Sequence, residues 1–314
     1  MGAQIYGPLI STGDLAGHVR LFSEVVGMTE TARCELGAED CSPLFLTSGH
    51  RAIVVVLATP GTSSGVVLCA FDPRSDETVR DWNTRLASDA LKVIDFYAPD
   101  YEGAIQHARS LGYRVVEEQA AYELEAGTFR EAHLWGPDNV VTAFLGGPAE
   151  FFADFAQVTD RRCSEVQSIS APVSDAAAVV RFYEAVFDWR VVYEYAITDP
   201  SFGALIGTDE RLQLRATNVG RSTREPYFGL IDYGVQSATG SLKGRSRPPR
   251  RGLIGAVVLV DDLADTQARA RRIGGSAAVP GQTVEIHVPS LGAVRAASLL
   301  PPHGVWHLVI ESGR

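Results

Sequence analysis

Lysine is almost missing from this chain: of its 28 basic residues only two are lysine, the rest being arginine. A surplus of positive charge is missing as well. The 38 acidic residues leave a formal charge of −10, so nucleic acid is not expected as the main partner. Cysteine is scarce, with four residues, Cys34, Cys41, Cys69 and Cys163, and no C-x-x-C spacing. That argues against a disulfide framework or a zinc ribbon and fits reduced, mostly buried thiols in a cytoplasmic protein. No stretch approaches the ~20 consecutive apolar residues of a membrane helix. The opening MGAQIYGPLI lacks a basic segment followed by an apolar one, so no signal peptide is expected. With 314 residues, two domains of ordinary size can each bury a core.

What is present is a unit repeated four times. Its copies open with Pro8–Met28, Val93–Tyr113, Ile169–Trp189 and Ala256–Gly275. Each has an apolar strand, a turn with an acidic residue, an amphipathic helix and a helix stop. Asp14, Asp100, Asp175 and Asp262 sit where a carboxylate can cap free N–H groups at the positive end of the helix dipole. Leu15, Val19, Phe22 and Val26 follow helical spacing, as do Val179, Tyr183 and Val186. Gly27, Gly112 and Gly274 stand at the stops, with Asp188 in the third copy. Strand-rich stretches follow each helix, among them Arg51–Leu57, Val140–Leu145, Arg190–Ile197 and Val305–Ile310. The unit reads β-α-β-β-β.

Two segments break the repeat. Gly147–Glu165 carries Phe151, Phe152 and Phe155, which suggests a short helix packed on one half. Gln236–Gly252 carries Lys243, Arg245, Arg247, Arg250 and Arg251, either as a solvated loop or as a lid whose cations meet an anionic ligand.

The openings ISTGDL, FYAPDYEGA, APVSDAAAVVRFYEAVFDW and VLVDDLADTQARARRIGG, with the turns WGPDNVVTAFL and PPHGVWHLVIE, make the chain resemble the vicinal oxygen chelate superfamily. That group includes glyoxalase I, bleomycin-resistance proteins and extradiol dioxygenases. The resemblance implies an α+β fold of four βαβββ modules paired into two glyoxalase-like domains with curved mixed sheets. The expected division is 1–147 for modules 1 and 2, a linker at 148–164, and 165–314 for modules 3 and 4. Gln4–Ile10 and Val166–Ala171 should occupy equivalent places.

The resemblance also implies a divalent ion, such as Fe, Mn, Ni or Zn, held by His, Glu or Gln on the first and last strands of each module. The first-strand positions here are Gly7, Val93, Ser168 and Gly255. The last-strand positions are Val55, Thr142, Gln213 and His307. Neither half offers the roughly three ligands that a catalytic ion needs, so no metal is expected.

His307 remains a candidate acid or base in the C-terminal bowl, with Gln213 and Ser168 holding an oxygen of the ligand. A structural imidazole is the alternative. His303 and His307 make a poor metal pair, since a strand does not bring i and i+4 together. In the N-terminal bowl the face of Val93 also carries Asp95 and Tyr97. Asp95 is a general base with a raised pKa, half of a buried pair with a basic residue, or a carboxylate at a wet strand end. His133 lies on a strand that could reach the same bowl, while His18, His50 and His107 read as solvated.

These features lead to an expected metal-independent enzyme acting on a small oxygen-rich molecule by acid/base chemistry, of the isomerase, lyase or cyclase type. The alternatives are a ligand-sequestering protein of the bleomycin-resistance kind, whose cleft Trp82, Trp135, Trp189 and Trp306 could line, and a metal-dependent dioxygenase or glyoxalase-type lyase. A monomer or homodimer is expected. Arginine-rich, lysine-poor usage is associated with high-GC genomes, where such tandem proteins often serve specialised metabolism.

Overall fold

The four aspartates cap four helices in the computed structural model, which describes residues 2–235, 240–289 and 292–312. Each Oδ1 accepts from the backbone N–H three residues on: Asp14 from Gly17 at 2.9 Å, Asp100 from Gly103 at 3.0 Å, Asp175 from Ala178 at 2.9 Å and Asp262 from Asp265 at 2.9 Å. The helices so started are α1 (Leu15–Arg20, continuing as a π-helical turn, Leu21–Val26), α3 (Tyr101–Ser110), α5 (Ala176–Phe187) and α7 (Leu263–Gly274). Asp188 ends α5 in the left-handed region at φ +58°. The stop after α7 is Gly275, at φ +67°, one residue beyond the expected Gly274.

Each helix opens one module. The first has strands β1 (Gln4–Ser11), β2 (Thr29–Leu36), β3 (Arg51–Ala58) and β4 (Gly65–Asp72), with helix α2 (Ala38–Phe45) inserted. The second has β5 (Val93–Tyr97), β6 (Arg114–Val115), β7 (Ala120–Leu124), β8 (Gly127–Trp135) and β9 (Val141–Gly146). The third has β10 (Val166–Pro172), β11 (Arg190–Ile197), β12 (Leu214–Gly220) and β13 (Tyr227–Asp232), with α6 (Pro200–Ile206) inserted. The fourth has β14 (Gly252–Val260), β15 (Val284–Val288), β16 (Gly292–Leu299) and β17 (Trp306–Glu311).

The modules do not pair as neighbours in sequence. One sheet runs β15-β16-β17-β14-β1-β4-β3-β2 and joins module 4 to module 1. The other runs β11-β12-β13-β10-β5-β9-β8-β6 and joins module 3 to module 2. The expected grouping of modules 1 and 2 in one sheet and 3 and 4 in the other is therefore corrected. The joints are antiparallel first strands, β1 against β14 and β10 against β5. Any two modules present compatible first strands, so the repeat leaves the choice of partner open. β1 and β10 hold equivalent central places in their sheets, as the repeat requires.

The four helices lie between the two sheets in one continuous core, to which Phe22, Ala104, Phe182 and Ala270 contribute. The other face of each sheet packs a separate cluster, one in the bowl of modules 1 and 4 and one in the bowl of modules 2 and 3. The bowl of modules 1 and 4 is filled by Leu9, Leu44, Phe45, Ile254, Trp306 and Leu308, with α2 as the plug. The first-strand glycines there leave no room for a liganding side chain: a Cβ on Gly7 would lie 1.7 Å from the Gly65 carbonyl oxygen, and one on Gly255 1.6 Å from that of Trp306.

The segment between the halves forms helix α4 (Ala149–Ala153), and its phenylalanines close over the bowl of modules 2 and 3. Of the basic segment, residues 236–239 lie outside the described residues. The rest is a strap rather than a free lid. Arg245 donates to the Thr78 carbonyl at 2.8 Å, Arg250 pairs with Glu77, and Arg251 meets Asp138 at 2.9 Å. His18, expected to be solvated, is fully buried 3.5 Å from the same Asp138.

Candidate functional site

In β5 the side chains alternate, and Val93 and Asp95 face the bowl of modules 2 and 3. Across the sheet joint Asp95 stands opposite Ser168. Its Oδ2 accepts hydrogen bonds from Ser168 Oγ and, at 2.7 Å, from Ser170 Oγ. Burial pushes the Asp95 carboxyl up to about 7; the nearby Glu131 charge adds to this, and the two serine bonds oppose it. On β8, Glu131 and His133 share one face, and the His133 Nε2 lies 2.7 Å from the Glu131 Oε1. Lys92, just before β5, donates to the Tyr233 hydroxyl at 2.9 Å.

The cavity these groups line measures about 80 Å³, room for a handful of waters or one small molecule. Phe129, Phe151, Phe152, Phe155 and Phe202 wall it, with Tyr122, Tyr195 and Tyr227 adding hydroxyls to the lining. Burial holds the Tyr122 and Tyr195 hydroxyls well above the usual phenol range, so they stay protonated and can donate. Asn218 on β12 lines the same cavity, and its buried Nδ2 has no hydrogen-bond partner. A buried donor left unmade is costly, which suits a site that receives an oxygen from outside.

Three of the residues singled out from the sequence, Asp95, Ser168 and His133, thus meet in one cavity because modules 2 and 3 share a sheet. Tyr97 does not join them. It is buried and stacks on Phe152 at 3.9 Å between ring centroids, sealing the bowl's end. Gln213 lies just outside β12, exposed, its backbone N–H bonded to the Tyr233 carbonyl at 3.0 Å. Leu214, Ala216 and Asn218 are the inward residues of that strand, so the reading was one residue out of register. A slip of one turns every side chain to the other face.

His307 is displaced by the same slip. Val305 and Val309 belong to the central core, whereas Trp306, Leu308 and Ile310 face the plugged bowl. His307 points with the former, fully buried, stacked on Tyr183 and Phe228, its Nε2 3.1 Å from the Tyr183 hydroxyl. Burial lowers its imidazole to about 4, so it stays neutral and remote from the cavity. Its surroundings are those of a core side chain. The tryptophans miss the cavity too: Trp189 and Trp306 are core, and Trp82 is exposed against Trp135.

A divalent ion would need about three ligands converging on a point. The carboxylate and imidazole groups of this cavity are Asp95, Glu131 and His133. Glu131 and His133 are turned onto each other and Asp95 onto two serines. Among the described residues no three His, Cys, Asp or Glu side chains are arranged to hold a metal. The donor set does not fit a metal centre.

Glu131, Lys92 and Asn218 were missed in the sequence. The alternation of Phe129, Glu131 and His133 along β8 was a usable signal for the first. The other two needed the register of β12 and the partner of module 2.

No curated protein matches the chain by sequence. Solved structures share its fold over nearly its full length. Glyoxalase I from Zea mays superposes with a TM-score of 0.64 at 12% identity, covering 99% of this chain and 92% of that one. A putative dioxygenase from Bacillus subtilis gives 0.55 at 9% identity, covering 98% and 84%. Residues 165–287 match the family model of the glyoxalase/bleomycin resistance protein/dioxygenase superfamily. That match makes residues 165–287 similar to the superfamily, and the four βαβββ modules in two mixed sheets share the fold of glyoxalase I over nearly the whole chain.

Proposed function

We propose that the bowl of modules 2 and 3 binds a small, oxygen-bearing organic molecule and moves a proton on it with Asp95, without a metal ion. The observation that carries this reading is a carboxyl group poised at about 7 in an aromatic-walled cavity. A general base works best when its pKa lies near the working pH, where it is both partly ionised and a strong acceptor. Ser168 and Ser170 fix the carboxylate oxygen, leaving the other oxygen for the ligand. Asn218 and the tyrosine hydroxyls donate to an oxygen on which negative charge develops. Such a site suits isomerisation, elimination or cyclisation beside a carbonyl.

The test is Asp95→Asn on small hydroxy-carbonyl compounds, with turnover followed by NMR. The expected outcome is a loss of ~10²–10⁴ in rate with binding retained. Unchanged turnover would remove Asp95 from the chemistry. Stoichiometric Fe, Mn, Ni or Zn in untagged protein would overturn the metal-independent part. The phenylalanine walls favour a second reading, a protein that sequesters an aromatic ligand. Tight binding by wild type and Asp95→Asn alike, with no product, would support it.

A further inference from the structure

We propose that Lys92 condenses with an aldehyde or ketone bound in the cavity of modules 2 and 3 to form a Schiff base. The proposal rests on the reading of that cavity as the site and names its substrate class, a small carbonyl compound.

The first ground is composition set against position. Only Lys92 and Lys243 are lysines among 28 basic residues. Lys243 is exposed, while Lys92 lines the cavity and is 5% exposed. Apart from the exposed Lys243, every other Lys/Arg position of the chain holds arginine, a group that stays protonated and cannot act as a nucleophile. An amine is the one basic side chain that can add to a carbonyl.

The second ground is geometry. The Lys92 backbone N–H donates to the Ser170 carbonyl at 2.8 Å, which anchors it beside the strand that carries Ser168 and Ser170. Its Nζ meets the Tyr233 hydroxyl at 2.9 Å and lies 5.1 Å from that ring's centroid. No carboxylate lies within 4 Å of Nζ among the described residues. A buried ammonium without a counter-ion is costly, so the fold favours the neutral amine. Arg80 strengthens this. Its buried guanidinium holds the carbonyls of Thr84, Ala87 and Ala90, each at 2.7 Å, and Leu91 at 2.9 Å, setting a fixed positive charge in the loop that leads into Lys92. Burial, then Arg80, lowers the amine to about 7, with Glu131 opposing.

The step balances without a co-reactant. The Nζ lone pair forms a bond to the carbonyl carbon, and the carbon–oxygen π pair moves to oxygen, which takes up a proton. The Tyr233 hydroxyl is placed to relay that proton from nitrogen. A proton from the Asp95 carboxyl lets the hydroxyl leave as water, which breaks the carbon–oxygen bond and leaves an iminium beside the Asp95 carboxylate. That cation acidifies the adjacent C–H, whose proton passes to Asp95, giving an enamine. Reprotonation and uptake of one water return the amine and a carbonyl compound.

The test uses the full chain with hydroxyacetone and sodium cyanoborohydride near pH 7, followed by peptide mapping. Reduction should trap the adduct on Lys92 at least tenfold faster than on Lys243, with the rate rising as pH passes through 7. In urea the two lysines should react alike. Trapping on Lys243 or the N-terminal amine alone in the folded protein would overturn the proposal. A second readout is α-proton exchange of hydroxyacetone in D₂O with Asp95→Asn and Lys92→Met. Exchange that needs Lys92 as well as Asp95 supports the proposal. Exchange that needs Asp95 but not Lys92 refutes it while sparing the role of Asp95. Lys92 trapping with no exchange leaves the Schiff base standing and removes Asp95 as the base.

Discussion

Replacing Asp95 by Asn should alter the pH dependence of stability in a way that can be worked out beforehand. The carboxyl shifts from 3.8 to about 7 on folding, chiefly through burial. A group whose folded pKa is raised adds stability that is fully present below its unfolded pKa and is lost as pH rises through the folded one. The window here runs from pH 3.8 to about 7. At 1.36 kcal/mol per unit, that shift amounts to about 4 kcal/mol. Asparagine keeps the size of the side chain and an oxygen for the Ser168 and Ser170 hydroxyls, but it has no charge to bury. Urea unfolding of both proteins at steps from pH 3.5 to 8 follows the effect, since titrating groups that do not interact with Asp95 cancel in the difference. The variant should gain on the wild type by up to about 4 kcal/mol across the window and be the more stable protein at pH 8. Parallel profiles, differing by a constant within about 1 kcal/mol, would refute the assignment of Asp95 as a buried acid poised near neutrality.

Three further outcomes follow from the packing. His307→Ala should cost roughly 3 kcal/mol in chemical denaturation as a core truncation, while proton exchange in the bowl of modules 2 and 3 stays unchanged in the folded fraction. Asp138→Asn should cost about 2 kcal/mol at pH 7, measured by the same method. Burial raises the Asp138 carboxyl, but the His18 ring, the Thr12 hydroxyl and the Gly13 N–H outweigh it and bring it to about 2. A lowered pKa gives stability that is present above 3.8 and lost as pH falls through about 2, so the two proteins should converge in that range. Asp175→Ala should lower stability by about 1 kcal/mol by removing a helix cap, read as a fall in melting temperature.

The modules were legible because their signals are local. A capping aspartate, a 3.6-residue apolar period and a left-handed stop lie within twenty residues of one another, and all four copies carry them. Pairing is not local: which first strand meets β10 depends on contacts between distant segments, and no residue of VQSISAP spells β5. The site suffered from this twice. Ser168 and Asp95 were both noticed yet assigned to different bowls, because their meeting exists only across the sheet joint. Gln213 was misplaced although Leu212, Leu214 and Ala216 alternate with Gln213 and Arg215 and turn it outward; His307 failed for a different reason. In a strand buried on both faces, such as Val305–Ile310, apolar side chains occupy both parities, and alternation no longer tells inside from outside. Lys92 gave no pattern at all, since a single buried amine has no periodicity.

The nesting of modules 2 and 3 inside modules 1 and 4 has a consequence for connectivity. Residues 93–232 form one sheet from contiguous chain, whereas β1 and β14 close a loop that holds that whole sheet. The inner pair can therefore assemble early in synthesis, while β1 waits for β14 to emerge, with the entropic penalty of so long a closure. Only β14 separates β1 from β17, so the first and last strands lie about 10 Å apart. A circular permutant that joins the ends by a short glycine–serine linker and opens between β9 and β10 would make modules 4 and 1 contiguous. It would also cut modules 2 and 3 apart, so that the cavity would depend on the new termini finding each other.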